Sequence, residues 1–412
     1  MIFSLTLFLL LPSTVYAYNP FNFSGKPKEN GHGPGVDEAL SRNYAAGPRE
    51  ENNLIHPSDH SLLPPTESTL SAGLFHTCAI TYRAGVECGS EKCGPVKCWG
   101  HNDRGQATPP PGAMFQQVSS GGFFTCGIKL GGKVACWGEI DHPPRSLELL
   151  SKEELSNFKH ARRMQQEAAG NVHSSTPPVN GGGYYLRVSS GMKHACGIAR
   201  NLEVHCWGRN DFGESQPPKG TFVQVSAGNS FTCGIRPNGA VQCWGKNDIG
   251  QSAPPSYPEY VFQQISTSVG GDHACGILMD RSLRSPTDIQ CWGNNGRGQS
   301  EKQDGAVAKF LQVSAGARTT CAIIEKDNSA SNGDDAGLTN DVHCWGGRAN
   351  ALLGHFAATK DKFYQQIQIG QDHACTLGSL LAGNKMVESL QCWWMVGSDF
   401  GAHRVPVGLE MV

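Results

Sequence analysis

Residues 225–251 read VSAGNSFTCGIRPNGAVQCWGKNDIGQ, and versions of this stretch recur along the chain. Its most constant part is the triplet Cys-Trp-Gly, which occurs six times, and a seventh copy has Trp in place of Gly. The copies begin at Cys98, Cys136, Cys206, Cys243, Cys291, Cys344 and Cys392. A unit repeated at such intervals is typical of an array in which every copy has the same fold.

Each unit contains three short apolar runs that are broken by Gly and Pro, which favours strands over helices. In the second unit these runs are Phe115–Val118, Phe124–Ile128 and Lys133–Trp137. A Ser-Ala-Gly or Ser-Ser-Gly marker follows the first run in most units, and the fifth unit carries an insertion there, from Ile265 to Gly271. The sequence therefore predicts an all-β protein with three strands in each unit.

The turn between the second and third strands determines how the cysteines face each other. In the fourth unit it reads RPNGA over residues 236–240, in which Pro favours a type I turn and Gly239 can take the left-handed conformation. Counting back from this turn places Cys233 opposite Cys243, at a Cα distance that a disulfide can bridge. The third unit has Leu202 at the left-handed position, which predicts a different or strained turn.

Pairing within units uses all 16 cysteines. The predicted disulfides are Cys78–Cys98, Cys126–Cys136, Cys196–Cys206, Cys233–Cys243, Cys275–Cys291, Cys321–Cys344 and Cys375–Cys392, with Cys88–Cys93 in the long turn of the first unit. Metal binding is the alternative, because a histidine stands two residues before four cysteines, at His76, His194, His273 and His373. The chain has no Cys-x-x-Cys, and residues i and i+2 of a strand do not close a tetrahedral site, so we favour disulfides and predict no metal site.

The tryptophan of the triplet follows the cysteine directly and therefore points to the opposite face of its strand. One hairpin with one extra strand is too small to bury so large a ring. We therefore expect each tryptophan to contact the neighbouring unit, which is the physical reason for an array.

The first unit contains SAG at 71–73, HTCAI at 76–80 and CWGHNDRGQ at 98–106. This string resembles the repeat of the regulator of chromosome condensation family, most closely its secreted forms, the ectodomain of crinkly-type receptor kinases and the bacterial β-lactamase inhibitor protein II. The resemblance covers residues 71–412 and implies a seven-bladed β-propeller. In such a ring, Leu409–Val412, which has the pattern of Phe115–Val118, is expected to pair into blade one and close the ring.

The N-terminal part predicts an exported protein. Residues 1–17 have the apolar run and small-residue end of a signal peptide, residues 18–65 read as a disordered or extended leader, and residues 66–412 form the propeller. The leader holds a glycosylation sequon at Asn22. Export and paired cysteines together predict a secreted, extracellular protein.

Two insertions interrupt the repeats. The larger covers about 140–182 and has a capping-box signature at 151–154 that predicts a helix. Its apolar stripe is weak, which favours a solvated excursion over the alternative, a docking element or a lid. The second insertion, Glu325–Asp341, lacks the spacing of a calcium loop, so a solvated loop is expected.

The sequence offers no catalytic motif, and we predict a protein that is not an enzyme and has no cofactor. The net charge of −2 gives no basic surface for nucleic acid, and no stretch is long enough to span a membrane. The histidines recur at one register, so we expect scaffold groups that bond backbone at the turn after Ser-Ala-Gly. The Asn-Asp-x-Gly-Gln segments read as structural turns.

The favoured hypothesis is a protein or peptide ligand bound by the loops on one face of the ring, since loops there vary on a fixed scaffold. An extracellular glycan-binding or structural protein is the alternative. Repeated sugar sites would need the same exposed group in every loop, whereas these loops differ. The candidate contact residues follow the Ser-Ala-Gly marker and are Leu74, Phe75, Phe123, Met192, Lys193, Asn229, Asp272, Arg318 and Asp372.

Overall fold

The computed structural model describes residues 69–81, 93–140, 184–282, 286–301, 309–325, 340–356, 362–382, 385–395 and 404–406. Several sequence predictions fall outside these ranges. They are the signal peptide 1–17, the leader 18–65 with Asn22, Cys88, the insertion helix within 141–182, the loop 326–339 and the closing strand 409–412.

The described residues contain 21 strands in seven consecutive groups of three, which we call repeats one to seven. The strands are β1 Leu70–Ala72, β2 His76–Ile80, β3 Gly94–Gly100, β4 Met114–Ser120, β5 Phe124–Lys129, β6 Val134–Gly138, β7 Tyr185–Ser190, β8 His194–Ala199, β9 Val204–Gly208, β10 Gln224–Ala227, β11 Phe231–Ile235, β12 Val241–Gly245, β13 Tyr260–Thr267, β14 His273–Asp280, β15 Pro286–Gly293, β16 Phe310–Ala315, β17 Thr319–Glu325, β18 Asn340–Gly346, β19 Lys362–Ile369, β20 His373–Ala382 and β21 Lys385–Trp394. Within each repeat the three strands pair antiparallel in chain order, and β3 also pairs with β4.

The register confirms the predicted disulfides. Cys233 lies opposite Cys243, and the same pairing recurs in the other six repeats. All seven cross-strand pairs are disulfide-bonded, with Cα atoms 4.0–4.1 Å apart. Cys93 is also disulfide-bonded, and the described residues contain no free cysteine.

The hairpin turns have the predicted form. In repeat four, Arg236 N donates to Ala240 O at 2.8 Å, and Gly239 has a φ of 80°. Repeat three keeps this geometry with Leu202 at a φ of 66°, the one non-glycine residue with positive φ in the described part of the chain. Its carbonyl accepts from Phe222 N at 2.8 Å, so the neighbouring repeat holds the strained residue in place.

A separate hydrophobic core lies between each repeat and the next, as the tryptophans predict. Trp137 of repeat two packs with Cys78 and Ile80 of repeat one. The series closes on itself, because Leu70 and Trp99 of repeat one pack in one core with residues of repeat seven. The tryptophans at 99, 137, 207, 244, 292 and 345 are all buried. The prediction that each ring contacts a neighbouring repeat is confirmed.

The recurrent histidines also join repeats, and here the sequence-based expectation was wrong. His76 Nε2 lies 2.7 Å from Thr125 Oγ1 of repeat two, instead of bonding backbone at its own turn. The hydroxyl of Thr125 donates to Gln106 O at 2.9 Å, so Nε2 carries the proton of the imidazole. The equivalent pairs are His194–Thr232, His273–Thr320 and, between repeats seven and one, His373–Thr77.

Two further elements differ from the sequence prediction. The segment after the sixth triplet forms a helix, α1 Ala349–Phe356, which the sequence did not predict. The insertion of repeat five was placed from Ile265 to Gly271, but β13 keeps its pairing through Thr267, with Ser266 opposite Cys275. The extra residues therefore lie after the strand, where four residues separate Ser268 from His273.

Candidate functional site

The strands expose two different ends, which we call the hairpin face and the loop face. The hairpin face carries the turns between the second and third strands. The loop face carries two segments from each repeat, the glycine loop before the second strand and the segment after the Cys-Trp-Gly triplet. These two are bonded to each other, as Lys246 N to Ser230 O and His101 N to Phe75 O at 2.9 Å show.

The glycine loops of successive repeats approach each other too closely for a side chain. A Cβ at Gly73 would lie 2.4 Å from Gly121 O, and one at Gly370 would lie 2.5 Å from Gly73 O. Leu74 crosses from repeat one to repeat five, because a Cβ at Gly270 would be 2.5 Å from Leu74 Cδ1. The glycines are therefore required by packing, and Leu74 fills the space that they leave.

The predicted contact residues all lie on the loop face, but two of them are buried. Leu74 is 3 % exposed and Asp372 is 6 % exposed, so neither presents a free surface. Leu74 packs against the opposite side of the protein, and Asp372 is ion-paired with Arg348. Arg318 is exposed, and the half-buried members are Phe75, Phe123, Met192, Lys193, Asn229 and Asp272.

The structure brings these residues together in two places. Phe75 and Phe123 lie with ring centroids 6.0 Å apart, and each also faces His101. On repeats four to six, Asn229 Nδ2 donates to Asp272 Oδ1 at 3.1 Å. Asp272 and Arg318 line one cavity of about 310 Å³. The loop face therefore has an aromatic part and a polar part.

The Asn-Asp-x-Gly-Gln segments confirm the prediction of structural turns and show what they hold. In repeat four, Asn247 Oδ1 accepts from Ser252 N and Gln251 Oε1 accepts from Ile249 N, both at 3.0 Å. Asn102, Asn210 and Asn295 make the first bond in repeats one, three and five, and Gln106, Glu214 and Gln299 make the second. The residue at x is therefore displayed on a fixed backbone.

Sequence reasoning missed the residues at position x. They are Arg104, Phe212, Ile249 and Arg297, so no two neighbouring repeats present the same side chain there. Phe212 is 48 % exposed and Ile249 is 44 % exposed, and the two stand at equivalent turns of neighbouring repeats. The signal was present in the sequence as one variable position inside an otherwise constant segment.

Repeat three replaces the glutamine of this segment with Glu214, a fully buried carboxylate. Burial raises the pKa of Glu214. Its Oε2 accepts from Phe212 N at 2.7 Å, but its Oε1 has no hydrogen-bond partner in the described residues and lies 4.0 Å from Arg209 Nε. In repeat four, the amide of Gln251 uses the equivalent position to donate to Asp248 at 2.8 Å.

We expect Glu214→Gln to stabilise the protein by about 1 kcal/mol or more at pH 7, because it removes a buried, incompletely bonded carboxylate. A carboxyl whose folded pKa is raised favours the folded state at low pH and loses that contribution as pH rises through the folded pKa. The extra stability of the Glu214→Gln variant should therefore vanish below about pH 4, where the carboxyl is protonated in both the folded and the unfolded state. Urea denaturation at both pH values measures it. Gln251→Glu is the matched control and should destabilise, and equal effects of both changes would contradict the argument.

The described residues contain no cluster of side chains that could hold a metal ion. No helix in the described part of the chain has the length and apolar character needed to cross a bilayer.

Comparison with known proteins identifies the repeat. Residues 222–251 match the Regulator of chromosome condensation (RCC1) repeat. A sequence search of curated proteins finds no match. Among solved structures, the entire ectodomain of the receptor kinase CR4 from Physcomitrella patens is similar, with 20 % identity, a TM-score of 0.52, and coverage of 79 % of this chain and 73 % of that one.

Prp20p from Saccharomyces cerevisiae, described with its binding to Gsp1p and histones, is similar with 16 % identity and a TM-score of 0.53, over 78 % of this chain and 85 % of that one. The same yeast protein, described as RCC1 (Prp20) bound by Kap60, matches with the same identity and TM-score. At these identities the likeness concerns the propeller fold. The matched segment and the shared fold are both consistent with an array of regulator of chromosome condensation-like repeats.

Proposed function

We propose that this protein is a secreted, non-enzymatic β-propeller of seven blades that binds a protein or peptide through its loop face. The closed series of cores, in which repeat one packs on repeat seven, supports the seven-bladed ring. Seven cross-strand disulfides support an oxidising, extracellular location, since such bonds are rare in reducing compartments.

One observation carries the binding proposal. The frame of the loop face recurs in repeats one, three, four and five, while the side chains displayed on it vary. The Asn and the Gln or Glu of each segment fix the backbone, and position x presents Phe212 and Ile249 on neighbouring repeats and Arg297 on the next. Aromatic and arginine side chains are enriched in the hot spots of protein interfaces, which supports a protein-binding role for this surface.

The glycan-binding alternative receives less support from the same residues. A multivalent lectin needs one sugar-binding group repeated in each blade, whereas the residues at position x are Arg104, Phe212, Ile249 and Arg297, which present three different side chains. A single sugar site remains an outcome of the binding test below.

The test places a photo-crosslinking phenylalanine analogue at either of two exposed apolar positions at opposite ends of the blades. Ile249 is 44 % exposed on the loop face, and Leu130 is 49 % exposed on the hairpin face. The oxidised protein is irradiated in its native extracellular fluid, and crosslinked partners are identified by mass spectrometry. We expect a defined protein crosslinked from position 249 and absent from position 130.

Leu130 is a demanding control, because Tyr184 beside it is also an exposed apolar residue. The same partner crosslinked more strongly from position 130 would move the binding surface to the hairpin face and overturn the proposal. Crosslinks to glycoconjugates alone, without protein, would favour the glycan alternative.

A further inference from the structure

The insertion of repeat five builds the cavity on the loop face. Two residues separate Gly73 from His76 in repeat one, whereas four separate Ser268 from His273. The longer loop brings Gly270, Gly271 and Asp272 to one wall of a cavity of about 310 Å³. The other walls come from the Asn-Asn-Gly-Arg-Gly-Gln segment of repeat five and the glycine loop of repeat six. Since the cavity depends on an insertion, it is a feature of this blade and not of the scaffold.

Two arginines line this cavity, and neither has an ion pair with the residues described. They are Arg297, at position x of repeat five, and Arg318, in the glycine loop of repeat six. Four other cations of the loop face each pair with a carboxylate: Arg104 with Glu139, Arg209 with Asp211, Lys246 with Asp248 and Arg348 with Asp372. Among the described residues, the two cavity arginines therefore differ from these four cations in having no carboxylate within ion-pair distance.

Arg297 is held in position before any ligand binds. Its backbone N donates to Gln299 Oε1 at 2.8 Å, and Gln299 is buried. Its aliphatic stem lies along Gly347, where an added Cβ would be 3.0 Å from Arg297 Cβ. A guanidinium whose stem is fixed loses less conformational freedom on binding than a free one.

The acidic wall of the cavity limits which anion fits. Asp272 accepts from Asn229 at 3.1 Å and lies 3.9 Å from Lys246 Nζ, so its negative charge is only partly offset. Two arginines and one aspartate leave the cavity lining with one net positive charge, which a single carboxylate balances and a doubly charged phosphate exceeds. Arginine forks also match the planar, two-oxygen geometry of a carboxylate.

We propose that this cavity binds one carboxylate side chain of a protein or peptide partner, with Arg297 and Arg318 as its ligands. The inference rests on the proposed function and names the chemistry that the partner must supply. Phe212 and Ile249, displayed on repeats three and four, would contact the apolar residues beside that acid. The partner segment is therefore expected to combine an acidic residue with apolar ones.

The test uses three labelled ten-residue peptides that share their apolar residues and differ at one position, which is glutamate, glutamine or phosphoserine. Binding to the oxidised full chain is followed by fluorescence anisotropy. We expect the glutamate peptide to bind about tenfold more tightly than the glutamine peptide, and Arg297→Gln or Arg318→Gln to remove that difference. Free N-acetylglutamate should compete, because the carboxylate is the recognised group.

Arg104→Gln is the matched control, since Arg104 occupies position x of repeat one and lies outside the cavity. An equal loss of affinity in this variant would show a general charge effect and overturn the proposal. Tighter binding of the phosphoserine peptide, or no preference for glutamate, would also overturn it. Ile249→Asp separates the two proposals. If this variant abolishes binding of the crosslinked partner while Arg297→Gln and Arg318→Gln leave it unchanged, the loop face binds the partner but the carboxylate site is wrong.

Discussion

Between pH 7 and pH 5 the protein should lose about 5 to 6 kcal/mol of stability from three buried histidines alone. Burial lowers the pKa of His76 and His194 from 6.5 to about 3, and that of His273 to about 4. Each Nδ1 is buried without a hydrogen-bond partner in the described residues, so a second proton there has no acceptor. The neutral form is therefore required by the fold.

The sign follows from the direction of these shifts. A histidine with a lowered folded pKa stabilises the protein fully above pH 6.5, and this contribution is lost as pH falls toward the folded pKa. Each of the three should account for about 2 kcal/mol of the loss between pH 7 and pH 5. Guanidinium denaturation of the oxidised protein over this pH range measures how the free energy of unfolding changes with pH.

The chain supplies the test substitution, because Phe231 occupies in repeat four the register that His194 occupies in repeat three. His194→Phe should therefore fold. The free energy of unfolding lost between pH 7 and pH 5 should be about a third smaller in this variant, since one of the three histidines is gone. His205→Phe, on the next strand of the same repeat, is the control. An unchanged acid slope in His194→Phe would show that these histidines do not cause the loss.

Trp207→Ala should lower the free energy of unfolding by about 3–5 kcal/mol, the usual cost of deleting a fully buried tryptophan. Trp207 is 1 % exposed and packs on Tyr185 with ring centroids 6.1 Å apart. The same core contains Phe124 of repeat two, so the cavity opens between repeats. The denaturation midpoint under non-reducing conditions gives the loss.

Hydrogen exchange shows whether the tryptophan joins two repeats. In Trp207→Ala, amides of both β5 and β8 should exchange faster, because each strand loses its partner surface. Tyr184→Ala removes an aromatic residue that is 40 % exposed and lies under the Arg200 guanidinium, and it should cost about 1 kcal/mol or less. Faster exchange confined to repeat three would contradict the idea that these rings connect neighbours.

The features that the sequence predicts correctly are local ones. Strand positions follow from apolar runs, and the disulfide register follows from a three-residue turn such as that ending at Gly239, which leaves one way to pair Cys233 with Cys243. The contact of each tryptophan with a neighbour follows from its size. Helix α1 was missed because Ala349–Phe356 has no acidic residue in its first turn and replaces a segment that is a turn elsewhere.

The features that the sequence does not predict are the specific residue pairs that join one repeat to another. His76 and Thr125 are 49 residues apart, and nothing in either segment alone specifies the other. The cavity needs Asp272 and Arg297 of one repeat and Arg318 of the next, so it exists only after the repeats are stacked. Leu74 and Asp372 were candidate contact residues because their loops differ between blades, whereas packing and an ion pair bury them.

The histidine–threonine bonds follow a rule of parity. A histidine donor stands in repeats one, three, five and seven, and its threonine acceptor stands in repeats two, four, six and one. Seven is odd, so strict alternation fails once, and repeat one resolves the mismatch by carrying both His76 and Thr77. Duplicating one ordinary repeat would set two donors or two acceptors side by side, whereas duplicating an adjacent pair keeps every bond. A ring that gained or lost repeats in adjacent pairs, with the first repeat kept, would therefore preserve the histidine–threonine bonds.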